Sequence, residues 1–369
     1  MGKATLLKER KDRILKAIAL EKPDRTPVIL EYAAFAAKVT HMPISDFVSD
    51  VNNSIKAMIQ AFHIVGEADA INYGAFCVSG LAYVWMSKVK VPGVDLPEHE
   101  IWQVAEAELM KPEDYDRIVA EGWPTFYQSF MEERVDGGMP EKLRTLLKNT
   151  PKMLEAWAAH GIPVMIIGGI TTPFEMFCGG RSLVEFIHDL YKISDKVKAA
   201  MDVTAPCLTG PICKMTKELG VPGVWVGGWR SASSMLSPRL WDRFVFPYLE
   251  RLINEVVDAG LIAILHLDSD WTRDLARFRS LPRGKCILAI DGSTNIFKAK
   301  EVLGDHMCIM GDVPPTMLAL GSPDEVYQYG LKLIKEIGPE GFILHSGCDI
   351  PMNAKLENVQ AMVAAATGK

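Results

Sequence analysis

Eight short, uninterrupted apolar runs recur along this chain, with amphipathic stretches between them. The runs are Thr26–Leu30, Asp69–Tyr73, Pro163–Gly168, Gly223–Val226, Leu261–His266, Cys286–Asp291, His306–Gly311 and Gly341–His345. A continuous apolar run, rather than an alternating one, suits a parallel strand buried on both faces. Helical patterns separate several of the runs. Leu240–Ala259 carries Leu252, Ile253, Val256 and Val257, and Pro323–Ile337 opens on a start signal at Ser322. Val184–Leu190 and Val197–Leu219 supply a third helical region. Strand and helix alternating to eight predicts an α/β fold, a (β/α)8 TIM barrel. An open doubly wound sheet is disfavoured, because no GxGxxG turn follows any run. The segment Cys77–Leu147 fits no standard unit. It mixes strand-like residues (Ala82–Val91) with a polar helix (Pro112–Glu121), and is expected to be an insertion after strand 2, lying over one end of the barrel. Residues 1–369 are then expected to form a single decorated barrel domain.

Composition narrows the function classes. Lys and Arg total 40 against 46 Asp and Glu, for a net charge of −6. The only basic block is the short Lys8–Lys16 stretch, which argues against nucleic acid as a partner. Residues 3–20 have Leu7, Ile14, Leu15 and Ile18 at helical spacing with acids interspersed, a helix packed on the domain rather than a transit peptide. The most apolar segments, Gly161–Ile170 and Ala259–Leu267, are too short to span a bilayer, so no membrane association is expected. Seven cysteines form no CxxC pair, which suits reduced thiols in a cytoplasmic protein.

In a barrel of this kind, active sites lie at the carboxyl ends of the strands. Those ends carry Glu31 and Tyr32, Tyr73 to Cys77, Gly168–Thr172, Gly227–Arg230, His266 and Asp268, Asp291, Asp312, and His345 to Cys348. His266 and Asp268 are two apart, so an extended backbone points both to one side, where they can share a metal. Catalytic zinc takes three protein ligands and keeps one position open. Cys348 is the favoured third ligand by position, His345 can replace a ligand or support one, and Cys77 and Cys178 are rivals. Cys207, Cys213, Cys286 and Cys308 read as small core residues. Asp291 and Asp312 read equally as turn caps or as substrate contacts.

Five segments together resemble the uroporphyrinogen decarboxylase superfamily, and within it the corrinoid-dependent methyltransferases. They are ALEKPDRTPV (Ala19–Val28), GWRSASSMLSPRLWDRFVFPYLERL (Gly228–Leu252), AGLIAILHLDSD (Ala259–Asp270), GDVPPTMLALGSPDEV (Gly311–Val326) and LHSGCDIPMNAKLENVQAM (Leu344–Met362). The resemblance implies zinc held by His266, Asp268 and Cys348. It also implies cobalamin carried by a separate corrinoid protein, since no DxHxxG loop is present here. Two departures are informative. The decarboxylases hold substrate carboxylates with an arginine-rich segment after the first strand, but here that segment is EYAAFAAK (Glu31–Lys38). The thiol-methylating branch has HxC on the central strand, and Asp268 replaces that cysteine.

A carboxylate in place of a thiolate makes zinc harder and a better Lewis acid toward oxygen. The resemblance therefore implies the demethylating component of an aryl-methyl-ether O-demethylase system, acting on guaiacol-, veratrole- or vanillate-type ethers. Glu31 and Asp291 are the expected catalytic residues, managing a phenolic proton. Tyr32, Phe76, Trp225 and Trp229 are the expected aromatic walls, with Asp312 and His345 as polar substrate contacts. The alternatives are a methylcobalamin:thiol methyltransferase, a methyltransferase for a methylamine or methyl thioether, a metal-free decarboxylase and a non-catalytic partner of a corrinoid protein. A homodimer is left open.

Overall fold

A computed structural model describes residues 2–368. All eight apolar runs form parallel strands of one sheet: β1 (Ile29–Leu30), β2 (Ala70–Tyr73), β3 (Val164–Thr171), β4 (Gly223–Gly228), β5 (Ile262–Leu267), β6 (Cys286–Ile290), β7 (Cys308–Val313) and β8 (Phe342–Ser346). Their spatial order is their sequence order. A parallel bridge between Val28 and Leu344 joins the first to the last, and the Leu344 N–H donates to Pro27 O at 2.9 Å. The expected α/β barrel is the fold.

The interior is lined by alternate residues, as a pleat of period two requires. Ile29, Ala70, Met165, Ile264, Ile287, Cys308, Met310 and Ile343 meet there. The amino-terminal helix α1 (Lys3–Ile18) packs Ile14, Ala17 and Ile18 into the same cluster. That i, i+3, i+4 stripe closes the amino-terminal end of the barrel. Leu15, expected on this face, points outward and is half exposed.

Buried Asp69, at the start of β2, ties this end together. It accepts from Arg13 (2.5 Å), from Arg25 (2.7 and 2.8 Å) and from the Val28 N–H (2.8 Å). Asp69→Ala leaves the partly buried Arg25 guanidinium and the Val28 amide without their carboxylate, while Arg13 keeps its pair with Asp24. It is expected to destabilise the fold by about 3–5 kcal/mol in denaturant titration; a loss below about 1 kcal/mol, the worth of an exposed pair, would contradict this role.

Helix boundaries differ from the sequence expectation where proline intervenes. Leu240–Ala259 is two helices, Pro238–Phe244 and Phe246–Asp258. Pro247 lacks the N–H that would continue the first, and its ring would clash with the carbonyl four residues back. Val197–Leu219 is likewise interrupted around Pro206, by a 3-10 turn at Ala205–Cys207. The excursion after β2 begins as a helix, Val78–Trp85, where strand-like character was expected from Ala82. Only Lys88–Lys90 is extended there, paired antiparallel with Gln103–Ala105. Its expected end at Leu147 falls inside a continuous helix, Met139–Ala159, which runs through Pro151 and delivers the chain to β3.

Candidate functional site

The carboxyl ends of the strands surround a cavity of about 350 Å³. His266 and Asp268 reach it by alternation, since Ile264 faces the barrel interior and each second residue follows it. Cys348, just past β8, joins them. His266 Nε2 lies 3.4 Å from Asp268 Oδ1 and 3.6 Å from Cys348 Sγ. Among the described residues, these three form the cluster of His, Cys, Asp or Glu whose donor atoms all lie within 4.8 Å of one another.

The donors fit zinc. Bonds of about 2.0–2.3 Å in a tetrahedral arrangement place neighbouring ligand atoms about 3.3–3.8 Å apart. The two distances to His266 Nε2 fall in that range. One nitrogen, one oxygen and one sulfur make three ligands, the number a catalytic rather than a closed structural zinc site uses.

Glu31 stands behind the histidine. Its Oε2 lies 3.8 Å from His266 Nδ1 and 3.5 Å from His345 Nε2, and it accepts from the Asn72 side-chain amide. It faces the imidazole as a buried charge past hydrogen-bond length, and His266 Nδ1 has no hydrogen-bond partner. Burial pushes the Glu31 pKa up, but the two histidines outweigh it and hold the carboxylate low, at about 2. Burial opposes a charged His266, yet Glu31, Asp268 and Cys348 together hold its pKa well above the ordinary value. Burial also pushes the Cys348 thiol up to about 11.

Two outcomes follow. Without metal, the Cys348 thiol keeps its proton at neutral pH, so zinc must displace it. Zinc affinity is therefore expected to rise about tenfold per pH unit for each proton released, measured by chelator competition between about pH 6 and 8; a pH-independent affinity would contradict this. Glu31→Gln is expected to cost about 10–100-fold in zinc affinity by the same assay, and wild-type affinity would remove Glu31 from its supporting role.

Apolar and aromatic residues make most of the cavity wall, with Tyr73, Phe76, Trp85, Met153, Ile166 and Trp225 prominent. The Trp225 ring lies 5.7 Å from that of His266. It is seated on backbone: a Cβ on Gly227 would come within 1.7 Å of the indole, and one on Gly169 within 2.5 Å. These glycines let a large ring form the wall. Tyr73 donates to Asp349 at the cavity edge. Burial and the Glu31 charge push the Asp349 carboxyl up to about 7. Tyr73 stands among the strand-end candidates, whereas Asn72 and Asp349 were not singled out from sequence; Asp349 adjoins Cys348, which is the signal that could have found it.

Five expected site residues lie off the main cavity: Tyr32, Asp291, Asp312, Trp229 and His345. Tyr32 follows Glu31, so alternation turns it away, and its hydroxyl donates to Met58 O at 2.8 Å in the core. Asp291 accepts from the backbone N–H groups of Ser269 (2.9 Å) and Ser293 (2.8 Å), bracing the turn after Asp268 instead of facing the cavity. Asp312 accepts from Tyr329 at 2.7 Å. Gly311, at φ 148°, interrupts the alternation before it. Trp229 lines a smaller neighbouring cavity. His345 is buried behind Glu31, and Phe76 lines the main cavity. Of the cysteines, Cys77 also lines the cavity but lies outside the donor cluster. Cys178, Cys213, Cys286 and Cys308 are buried, and Cys207, expected in the core, is half-buried.

A parallel eight-stranded barrel with polar side chains gathered at its strand carboxyl ends defines a barrel enzyme. The chain belongs to the uroporphyrinogen decarboxylase (URO-D) family, which matches residues 9–368. Among curated relatives, the uroporphyrinogen decarboxylase of Geobacter metallireducens is 25% identical over 243 residues, 63% of this chain and 67% of that protein. The decarboxylase of Geobacter sulfurreducens is 25% identical over 61% of this chain and 65% of its own length. The chain thus spans about two thirds of the length of these relatives. Among solved structures, a methyltransferase from Methanosarcina mazei superposes with a TM-score of 0.75 at 19% identity, covering 96% of this chain and 97% of that one. No helix among the described residues is long and apolar enough to cross a membrane.

Proposed function

We propose that this protein is the methyltransferase of an aryl-methyl-ether O-demethylase system, moving the methyl group to cob(I)alamin on a separate corrinoid protein. The observation that carries the proposal is Asp268. It places a carboxylate oxygen beside one imidazole and one thiol, at the end of an apolar cavity with aromatic walls.

His266, Asp268 and Cys348 would hold zinc. When bound, zinc supplies Lewis acidity for a leaving oxygen, and a mixed nitrogen, oxygen and sulfur set favours that more than a thiolate-rich one. The residues of the chain do the rest. Glu31 sets a negative charge behind the imidazole of His266. Trp225, Phe76 and Trp85 offer faces and edges for an arene. Tyr73 and Asp349 present a hydroxyl and a carboxyl that can hold a phenolic group. With cob(I)alamin supplied by the partner, the ether would give up its methyl group with the carbon–oxygen electron pair staying on oxygen, and the phenolate would leave as the phenol after taking a proton from water.

The curated relatives are named uroporphyrinogen decarboxylases, and a decarboxylase that grips several substrate carboxylates fits this cavity poorly. Among the described residues, its lining holds no lysine or arginine, and Ala33–Ala37 is buried apolar chain. The test is spectral: reduced corrinoid protein, zinc-loaded enzyme and a guaiacol-type ether should yield methylated cobalt and a phenol. Methylation of a thiol from methylcobalamin, with no ether cleaved, would instead support the thiol-directed alternative.

A further inference from the structure

Beside the main cavity lies a second one of about 260 Å³, lined by Trp85, Val104, Trp229, Arg230, Asp268 and Ser269. Trp85 and Asp268 belong to both cavities. Arg230 is 2% exposed, and its Nε and Nη1 have no hydrogen-bond partner. Such a group is costly to bury unpaired, because a guanidinium stays charged and each buried donor left idle loses its hydration. The carboxylate 4.0 Å away, Glu175, does not meet the need. Glu175 spends Oε1 on Trp229 N (2.9 Å), Ser231 N (2.8 Å) and Ser231 Oγ (2.6 Å). Its Oε2 stops 4.0 Å from Arg230 Nη1, past hydrogen-bond length. Glu175 therefore balances the charge while leaving the donors free.

The guanidinium is also held flat. It lies 4.0 Å from the Trp229 ring centre and 5.4 Å from that of Trp85, and the two indoles meet nearly edge to face at 83°. Stacking fixes the plane of the fork, and a planar fork with free N–H groups matches a planar carboxylate. The indoles beside it suit an aromatic ring. We propose that Arg230, over the Trp229 ring with Trp85 beside it, is an anion subsite that takes the carboxylate of an aromatic acid.

The subsite deepens the proposed ether chemistry and rests on it for one consequence. Because Asp268 is a wall common to both cavities, an arene anchored through its carboxylate at Arg230 would present its other edge to the His266, Asp268 and Cys348 cluster. The substrates would then be methoxybenzoates in preference to uncharged aryl ethers.

Calorimetric titration of the full-length protein with benzoate, benzamide and anisole tests the subsite directly. Benzoate should bind at least about tenfold more tightly than benzamide, the advantage of a charge-assisted bidentate pair over a neutral one. Arg230→Gln should erase that preference, and Arg230→Lys, which keeps the charge but not the fork, should retain part of it. Equal binding of benzoate and benzamide by the wild-type protein would overturn the subsite whether or not the variants fold. A folded Arg230→Gln that still prefers benzoate would overturn it too. Turnover separates the two levels. Demethylation of anisole as efficient as that of 3-methoxybenzoate would overturn the subsite and leave ether cleavage standing. Arg230-dependent benzoate binding without cleavage of any ether would support the subsite and overturn the ether chemistry.

Discussion

Cys348→Ala is expected to abolish zinc retention and to lower ether demethylation by at least about a thousandfold. Lewis-acid stabilisation of a leaving oxygen is worth several kcal/mol, and each 1.36 kcal/mol is about a factor of ten in rate. Cys348 is a better probe than His266 for a physical reason. It is half-buried and sits in a turn beyond β8, so alanine leaves the barrel wall intact. Removing the His266 ring would expose the buried Glu31 carboxylate to an empty space and confuse folding with chemistry. The check is metal content, melting temperature and ether turnover on one preparation. A variant that melts like wild type, loses zinc and keeps its turnover would separate the metal from the reaction.

Asp268→Cys should do something different. The side chains are similar in size, and Asp268 is one-third exposed, so the change fits without repacking. The donor set becomes one nitrogen and two sulfurs, softer and more electron-rich, which suits delivery of a nucleophilic thiolate rather than departure of an oxygen. Zinc should be retained, ether demethylation should fall by about a hundredfold or more, and methyl transfer from methylcobalamin to a small thiol should appear or grow. Competing turnover assays on the zinc-loaded variant measure this. Undiminished ether cleavage at full zinc occupancy would show that the Asp268 carboxylate does not set the direction of the chemistry.

The barrel was legible because its strands are buried on both faces, and such strands announce themselves as unbroken apolar runs. The meeting of His266 and Asp268 was legible for a related reason: they differ by two residues at one strand end, and period two places them together. Where alternation was not applied, the expectation failed. Tyr32 adjoins Glu31 and therefore points the other way, to Met58. Asp291 and Asp312 sit at strand ends, but a tight turn claims the first and Tyr329 the second. The remaining members of the site come together only through the closed sheet. Asn72, Glu31 and His345 lie on β2, after β1 and on β8, and no local pattern reports that they meet. The same holds for Trp225 and its two glycines, since a glycine on β3 matters only once β4 lies beside it.

Zinc K-edge X-ray absorption on the zinc-loaded protein tests the central claim most directly. One zinc per chain is predicted, with a single sulfur at about 2.3 Å and nitrogen or oxygen neighbours at about 2.0–2.2 Å. Failure to retain zinc, or zinc without a sulfur neighbour, would contradict the His266, Asp268 and Cys348 site and the chemistry proposed for it.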